Sequence, residues 1–150
     1  MGYIKKNGDI TFEEAQKIVD ENNKKIVAML VVNDVSFLKK GGRVSNAKAF
    51  FVSLLKLNIL ISMYNDGLNF YDKSKSIDAI PEKIIKYFTN TNPGAKIEKL
   101  GYINLGKSNK SIIENVKNLI NVKNVEVSKC CSAVIAHTGP DISAILVKYK

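Results

Sequence analysis

Apolar positions along this chain switch repeatedly between two periods. Thr11-Phe12-Glu13-Glu14 forms a capping box, in which the Thr11 hydroxyl can cap and Glu14 can reach back. Behind it Phe12, Ala15, Ile18 and Val19 recur at helical spacing and predict a helix to about Asn23. The next apolar run, 26–32, is unbroken and β-branched, and predicts a strand buried on both faces. Asn33-Asp34 ends it and can cap a short helix through 35–38, which Gly41-Gly42 stops, since glycine tolerates a left-handed C-terminal cap. Ser45 or Asn46 opens a further helix whose Ala47, Phe50, Phe51, Leu54 and Leu55 make a broad apolar face.

The alternation then continues. Residues 58–64 and 68–71 predict two strands joined by a tight Asn65-Asp66-Gly67 turn. Residues 76–88 predict an amphipathic helix with Pro81 in its first turns and Ile77, Ile80, Ile84, Ile85 and Phe88 inward. After a polar connection at 89–94 come a strand at 97–105, a helix at 108–120 with Ile112, Ile113, Val116, Leu119 and Ile120 inward, and a short strand at 125–127. Two apolar, strand-like segments, 131–136 and 142–149, flank His137-Thr138-Gly139-Pro140. The expected fold is α/β: residues 1–150 as a single domain, with helices flanking a mixed β-sheet. One antiparallel hairpin is expected within a sheet otherwise joined by crossovers.

Composition narrows the function classes. With 45% hydrophobic and 25% charged residues the chain is long enough, and apolar enough, to bury a core. No apolar stretch approaches the ~20 residues of a bilayer span. Met1-Gly2-Tyr3-Ile4-Lys5-Lys6 leads into Asn-Gly-Asp and not into an apolar signal segment, so the expected compartment is the cytoplasm. The net charge of +9 rests on lysine, since Arg43 is the sole arginine, and the lysines are scattered; sequence-specific nucleic-acid reading is therefore not expected. Cys130 and Cys131 are adjacent, a spacing too strained for a mutual disulfide, and one histidine without a CxxC excludes the usual zinc patterns. No phosphate-binding glycine loop or nucleophile elbow is present, and composition and spacing alone lead no further than a soluble basic α/β domain with no motif for a cofactor or metal.

Two clusters remain. In Phe37-Leu38-Lys39-Lys40-Gly41-Gly42-Arg43-Val44-Ser45, a guanidinium follows two glycines and precedes a helix start, which suits a carboxylate or phosphate. The same pattern also serves as a plain helix–loop–helix corner with Arg43 on a neighbouring carboxylate. His137-Thr138-Gly139-Pro140 puts an imidazole in a turn at an element end, where it can enter a cleft or simply be satisfied structurally.

Leu38-Lys39-Lys40-Gly41-Gly42-Arg43-Val44-Ser45 resembles the "L-x-K-G-G-R-I-S" signature of the DegV family. Leu57-Asn58-Ile59-Leu60-Ile61 stands where the family has an "I-x-P-I-L" strand, Asp66-Gly67-Leu68 resembles its hairpin, and Ala136-His137-Thr138-Gly139-Pro140 resembles its "x-H-x-G-P". Asp141 replaces a commonly small residue, and Lys75 stands where the family has an arginine, keeping charge but losing the fork. The resemblance runs from about residue 11 to 149. It implies a fatty-acid-binding carrier that presents a long-chain fatty acid to a fatty acid kinase and is not itself the phosphotransferase. By the same likeness Arg43, Lys75, His137, Thr138 and Gly139 form the headgroup and kinase-facing edge. Ala47, Phe50, Phe51, Leu54, Leu55, Ile59 and Ile61 form the acyl slot. The family's N-terminal domain, with its Asp-Ser strand and Thr/Ser-rich carboxylate-holding loops, has no counterpart in this sequence, so the implied partners include an N-terminal half, supplied by another chain or belonging to a longer form of this one. The competing readings are a family member repurposed as an interaction or dimerisation module without lipid transfer, and an unrelated basic domain.

Overall fold

In the computed structural model, residues 10–40, 56–63, 67–105, 110–123 and 125–150 are described. Arg43, Gly41-Gly42, the helix face of Ala47, Phe50, Phe51, Leu54 and Leu55, the Asn65-Asp66 part of the hairpin turn and the Ser108 helix start lie outside them.

The elements follow in the order α1 (Phe12–Asn23), β1 (Ile26–Val32), α2 (Val35–Lys40), β2 (Asn58–Met63), β3 (Leu68–Ser74), α3 (Ile80–Thr91), β4 (Ile97–Leu105), α4 (Lys110–Ile120), β5 (Val125–Ser128), α5 (Ser132–Thr138) and β6 (Ile142–Tyr149). The six strands form one sheet in the order β3-β2-β1-β6-β4-β5. The α/β class and the mixed sheet are as expected, but the balance of strand directions is not. β1–β2, β1–β6, β2–β3 and β4–β6 are antiparallel and only β4–β5 is parallel. The cause is the last strand: β6 inserts between β1 and β4, antiparallel to both, so the crossover through α4 yields the one parallel pair.

β1 is buried along six of its seven positions, and side-chain alternation divides its residues between two layers. Val27, Met29 and Val31 face one side with Leu60, Leu100, Tyr102, Ile145 and Val147. There α3 contributes Ile80, Ile84 and Phe88, and α4 contributes Ile112, Ile113 and Val116, spacings that put each set on one helical stripe. Leu30 and Val32 face the other side with Ile59, Ile61, Ile142 and Ala144, against Val35 and Leu38 of α2. α2 in turn packs on α5.

Two predicted elements need correction. The helix predicted at 76–88 begins at Ile80, with Pro81 in its first turn. A start at Ser76 would put Pro81 in the helix interior, where its missing amide breaks the ladder. Residues 74–78 form local turns instead: the Ser74 hydroxyl donates to the Ser76 carbonyl at 2.7 Å and the Asp78 amide donates to Ser76 Oγ at 3.2 Å. The strand-like run 131–136 belongs to helix α5. Cys131 has the extended backbone of an N-cap, and Gly139, at φ 86°, takes the C-cap position that this φ reserves for glycine.

Candidate functional site

The two faces of the sheet are finished differently. α3 and α4 cover the first. On the second, α2 and α5 are the described cover, and beside α5 runs a hollow of about 600 Å³. Its floor is Ala28 and Leu30 of β1, Ile142, Ala144 and Leu146 of β6 and Ile103 of β4. These are cross-strand neighbours: Leu30 pairs with Ala144, Ala28 with Leu146, and Ala144 with Ile103. Met63 and Leu68, a pair across the β2–β3 hairpin, close one flank, and Ala133, Val134, His137 and Thr138 of α5 form the other. Alternating Leu and Ala across β1 and β6 make the floor a trough, because each alanine leaves the space its leucine neighbour fills. The volume is that of a small-molecule pocket, and the lining is apolar except at the α5 wall and at Lys129 just ahead of it.

The polar part of that wall is specific. His137 is half-buried in the last turn of α5, and its Nδ1 is buried without a hydrogen-bond partner among the described residues. A buried imidazole nitrogen costs stability unless water, a ligand or a partner group pairs with it, so this atom has hydrogen-bonding capacity to offer a bound molecule. Thr138 is buried, but its hydroxyl turns back on the helix and donates to the Val134 carbonyl at 2.8 Å. Gly139 follows, and a Cβ there would meet the Phe37 ring of α2 at 2.6 Å. Phe37 thus seats α2, the helix that leads in sequence to Gly41-Gly42-Arg43, directly against the turn that carries His137. Asn33 Nδ2 donates to Asp141 Oδ2 at 3.1 Å, tying the same two turns a second time.

Other predicted site residues sit differently. Ile59 and Ile61 are on the trough's face of the sheet but buried in the adjoining cluster with Val35 and Leu38, and the trough is floored by β1, β4 and β6. Lys75 is exposed just past β3 and is not among the lining residues. Cys130 and Cys131 line the far end of the α5 wall as free thiols. Burial pushes the Cys130 thiol up, and the neighbouring Cys131 thiol adds to the effect. Sequence reasoning missed the trough floor because 26–32 reads as one continuous apolar run. The available signal was the small residues Ala28 and Ala144 between bulky ones. Among the described residues no group of three or more His, Cys, Asp or Glu could hold a metal ion, and no helix is long and apolar enough to cross a membrane.

The sequence matches, over residues 3–150, the family model for uncharacterised proteins of the DegV family. It is 27% identical over 142 residues to a DegV domain-containing protein of Clostridium acetobutylicum, covering 91% of this chain and 50% of that protein. It is 28% identical over 137 residues to the fatty acid-binding protein of Thermotoga maritima, covering 87% and 46%. The chain therefore spans about half the length of these curated relatives. In fold it is similar to a DegV family protein from Eubacterium eligens that was crystallised loaded with heptadecanoic acid. There the TM-score is 0.79 at 16% identity, over 99% of this chain and 54% of the other.

Proposed function

This chain belongs to the DegV family, and on that premise we propose that it binds the hydrocarbon tail of a long-chain fatty acid in the trough beside α5 and carries that acid to a fatty acid kinase. The observation that supports this most directly is the trough itself: an apolar channel on one sheet face whose wall holds an imidazole nitrogen without a hydrogen-bond partner among the described residues. From Ile142 to Leu146 the floor runs for about 14 Å along β6. One leaflet of a bilayer, half of a ~30 Å hydrocarbon core, is about as deep. Burying roughly 14 methylenes at ~0.8 kcal/mol each sets an upper bound near ~11 kcal/mol before immobilisation costs, ample for binding without a strong headgroup contact.

In this reading His137 offers Nδ1 to the carboxylate or to the phosphoryl group the kinase adds. Thr138 and Gly139 fix the imidazole by ending α5, and Arg43 and Lys75 supply positive charge to the same edge. Family likeness assigns Ala47, Phe50, Phe51, Leu54 and Leu55 to the acyl slot, while Ile59 and Ile61 flank the floor on the same sheet face. The protein transfers no phosphate itself; the kinase does.

The test is titration of the chain with a fluorescent fatty acid, for which saturable micromolar binding is expected. Met63→Asp and Leu68→Asp, both at partly exposed positions, should weaken binding at least about tenfold with the fold intact, since a carboxylate in the apolar wall must be desolvated. His137→Ala should retain binding and lower acyl phosphorylation by a cognate kinase. Absence of saturable binding overturns the reading.

A second reading, an interaction module without lipid transfer, draws on α1. That helix has no buried residue and leaves Phe12 and Val19 largely exposed. Native mass spectrometry separates the two: co-purified fatty acid supports carriage, and a lipid-free dimer supports the module.

A further inference from the structure

Beyond Leu146 the same sheet face holds a second, smaller hollow of about 310 Å³, floored by Gly101 and walled by Ile26, Ile103, Leu146 and Ser128. It shares Ile103 and Leu146 with the main trough, so these two side chains are the partition between them. Lys99 and Lys148 stand at its rim, and each is paired with a carboxylate, Glu126 and Glu98 respectively.

Gly101 is the telling residue. It lies inside the nine-residue strand β4, where glycine has no side chain to pack and weakens the strand. The backbone does not demand it, because Gly101 is not among the glycines with positive φ. Packing does not demand it either, since a Cβ there would meet Leu146 Cβ at 3.4 Å and Cδ1 at 3.7 Å, ordinary contact. What the missing side chain leaves is the hollow itself; a mid-strand glycine marks a bulge, a tight bend or a close approach by a ligand or another backbone, and the register shift of β4 lies earlier, between Ile97 and Lys99.

We propose that the hollow over Gly101 is a tail subsite, which takes the methyl end of a long fatty acid after the chain has crossed Leu146. This rests on the fatty-acid reading above. Lengths agree with it. An extended chain of ~1.5 Å bonds advances about 1.3 Å per methylene, so octadecanoic acid is about 22 Å long. The floor from Ile142 to Leu146 gives about 14 Å, and continuing to Lys148 gives about 20 Å. A tetradecanoyl chain fits largely within the first hollow, whereas an octadecanoyl chain needs the second. The paired lysines close the far end as a polar rim and offer no unpaired cation, so the carboxylate stays at the His137 end.

The experiment measures the affinities of tetradecanoic and octadecanoic acid by displacement of a fluorescent probe, for the wild-type chain, Gly101→Val and Leu146→Ala. Each methylene that finds an apolar site contributes up to about fourfold. Wild type should therefore bind the longer acid at least about tenfold more tightly. Gly101→Val should bring that ratio below about threefold while leaving tetradecanoic acid within about twofold. Because valine suits a strand, its thermal midpoint should hold or rise, which separates a filled subsite from a damaged fold. Leu146→Ala, with the sill removed, should raise the ratio further. A ratio unchanged in Gly101→Val, with wild type binding both acids, overturns the subsite alone. No binding of either acid by wild type overturns the fatty-acid reading and the subsite with it.

Discussion

Gly139 carries two constraints at one atom. Its φ of 86° and ψ of 176° lie in a region reserved almost entirely for glycine, and the Phe37 ring occupies the space any Cβ would need. Gly139→Ala should therefore cost about 1–3 kcal/mol in urea denaturation. Phe37→Ala in the same chain should recover only part of that loss, because removing the ring relieves the clash and not the backbone. Full recovery would mean that the turn readjusts freely and that Phe37 alone made glycine necessary. This much was visible beforehand as a glycine between His137-Thr138 and Pro140. The partner that makes it indispensable was not, since Phe37 lies far away in sequence and meets it only once α2 and α5 pack. Asp141 is similar: alone it looks like a departure from a small residue, and in the fold it accepts from Asn33 across the same contact.

At the scale of elements, legibility follows how strongly local chemistry commits the chain. The Thr11–Glu14 box closes as its residues suggest, with Thr11 N donating to Glu14 Oε2 at 2.9 Å and Glu14 N to Thr11 Oγ1 at 3.2 Å, and β1 and β4 keep their predicted bounds. The 131–136 run was not legible, because four apolar residues in a row satisfy either period until Gly139 is placed at the cap. The helix after Ser74 was mistimed because a hydrophobic stripe fixes which face is buried and not where the first turn starts; Pro81 decides that. α1 shows the opposite imbalance, strong local signals with little tertiary support. Thr11→Ala, which removes the cap, should cost the helix about 0.5–2 kcal/mol. Amide exchange should accelerate across 12–23 while the global unfolding midpoint stays nearly unchanged. A fall in global stability of the full amount would instead show that α1 unfolds together with the sheet.

Taken whole, the sheet divides labour between its faces. One face is finished by its own helices: Ile84 and Phe88 of α3 and Ile112 of α4 are fully buried against it. The other keeps a trough, and beside it Met63, Leu68 and Val134 stay partly exposed. An element pattern reveals that a sheet has two faces but not that the described helices leave a trough on one of them, because that depends on where α5 lies and on small residues in separate strands. The division predicts separable effects of mutation. A fatty acid that binds only the folded chain stabilises it by about 2.7 kcal/mol at a hundredfold excess over Kd. For a chain of this length that corresponds to a rise in Tm of roughly 5–10 °C. Ile84→Ala, which opens a cavity under the closed face, should lower the unliganded midpoint by an amount corresponding to about 2–5 kcal/mol and leave the ligand-induced rise in place. Val134→Asp, on the exposed side of the trough wall, should do the reverse: the unliganded midpoint moves little, within about 1 kcal/mol, because the side chain keeps contact with water, and the rise largely disappears because the carboxylate would have to be desolvated beside the acyl chain. Equal losses of the ligand-induced rise in both variants would mean that the two faces respond as one unit, and the separation argued from the sheet would fail.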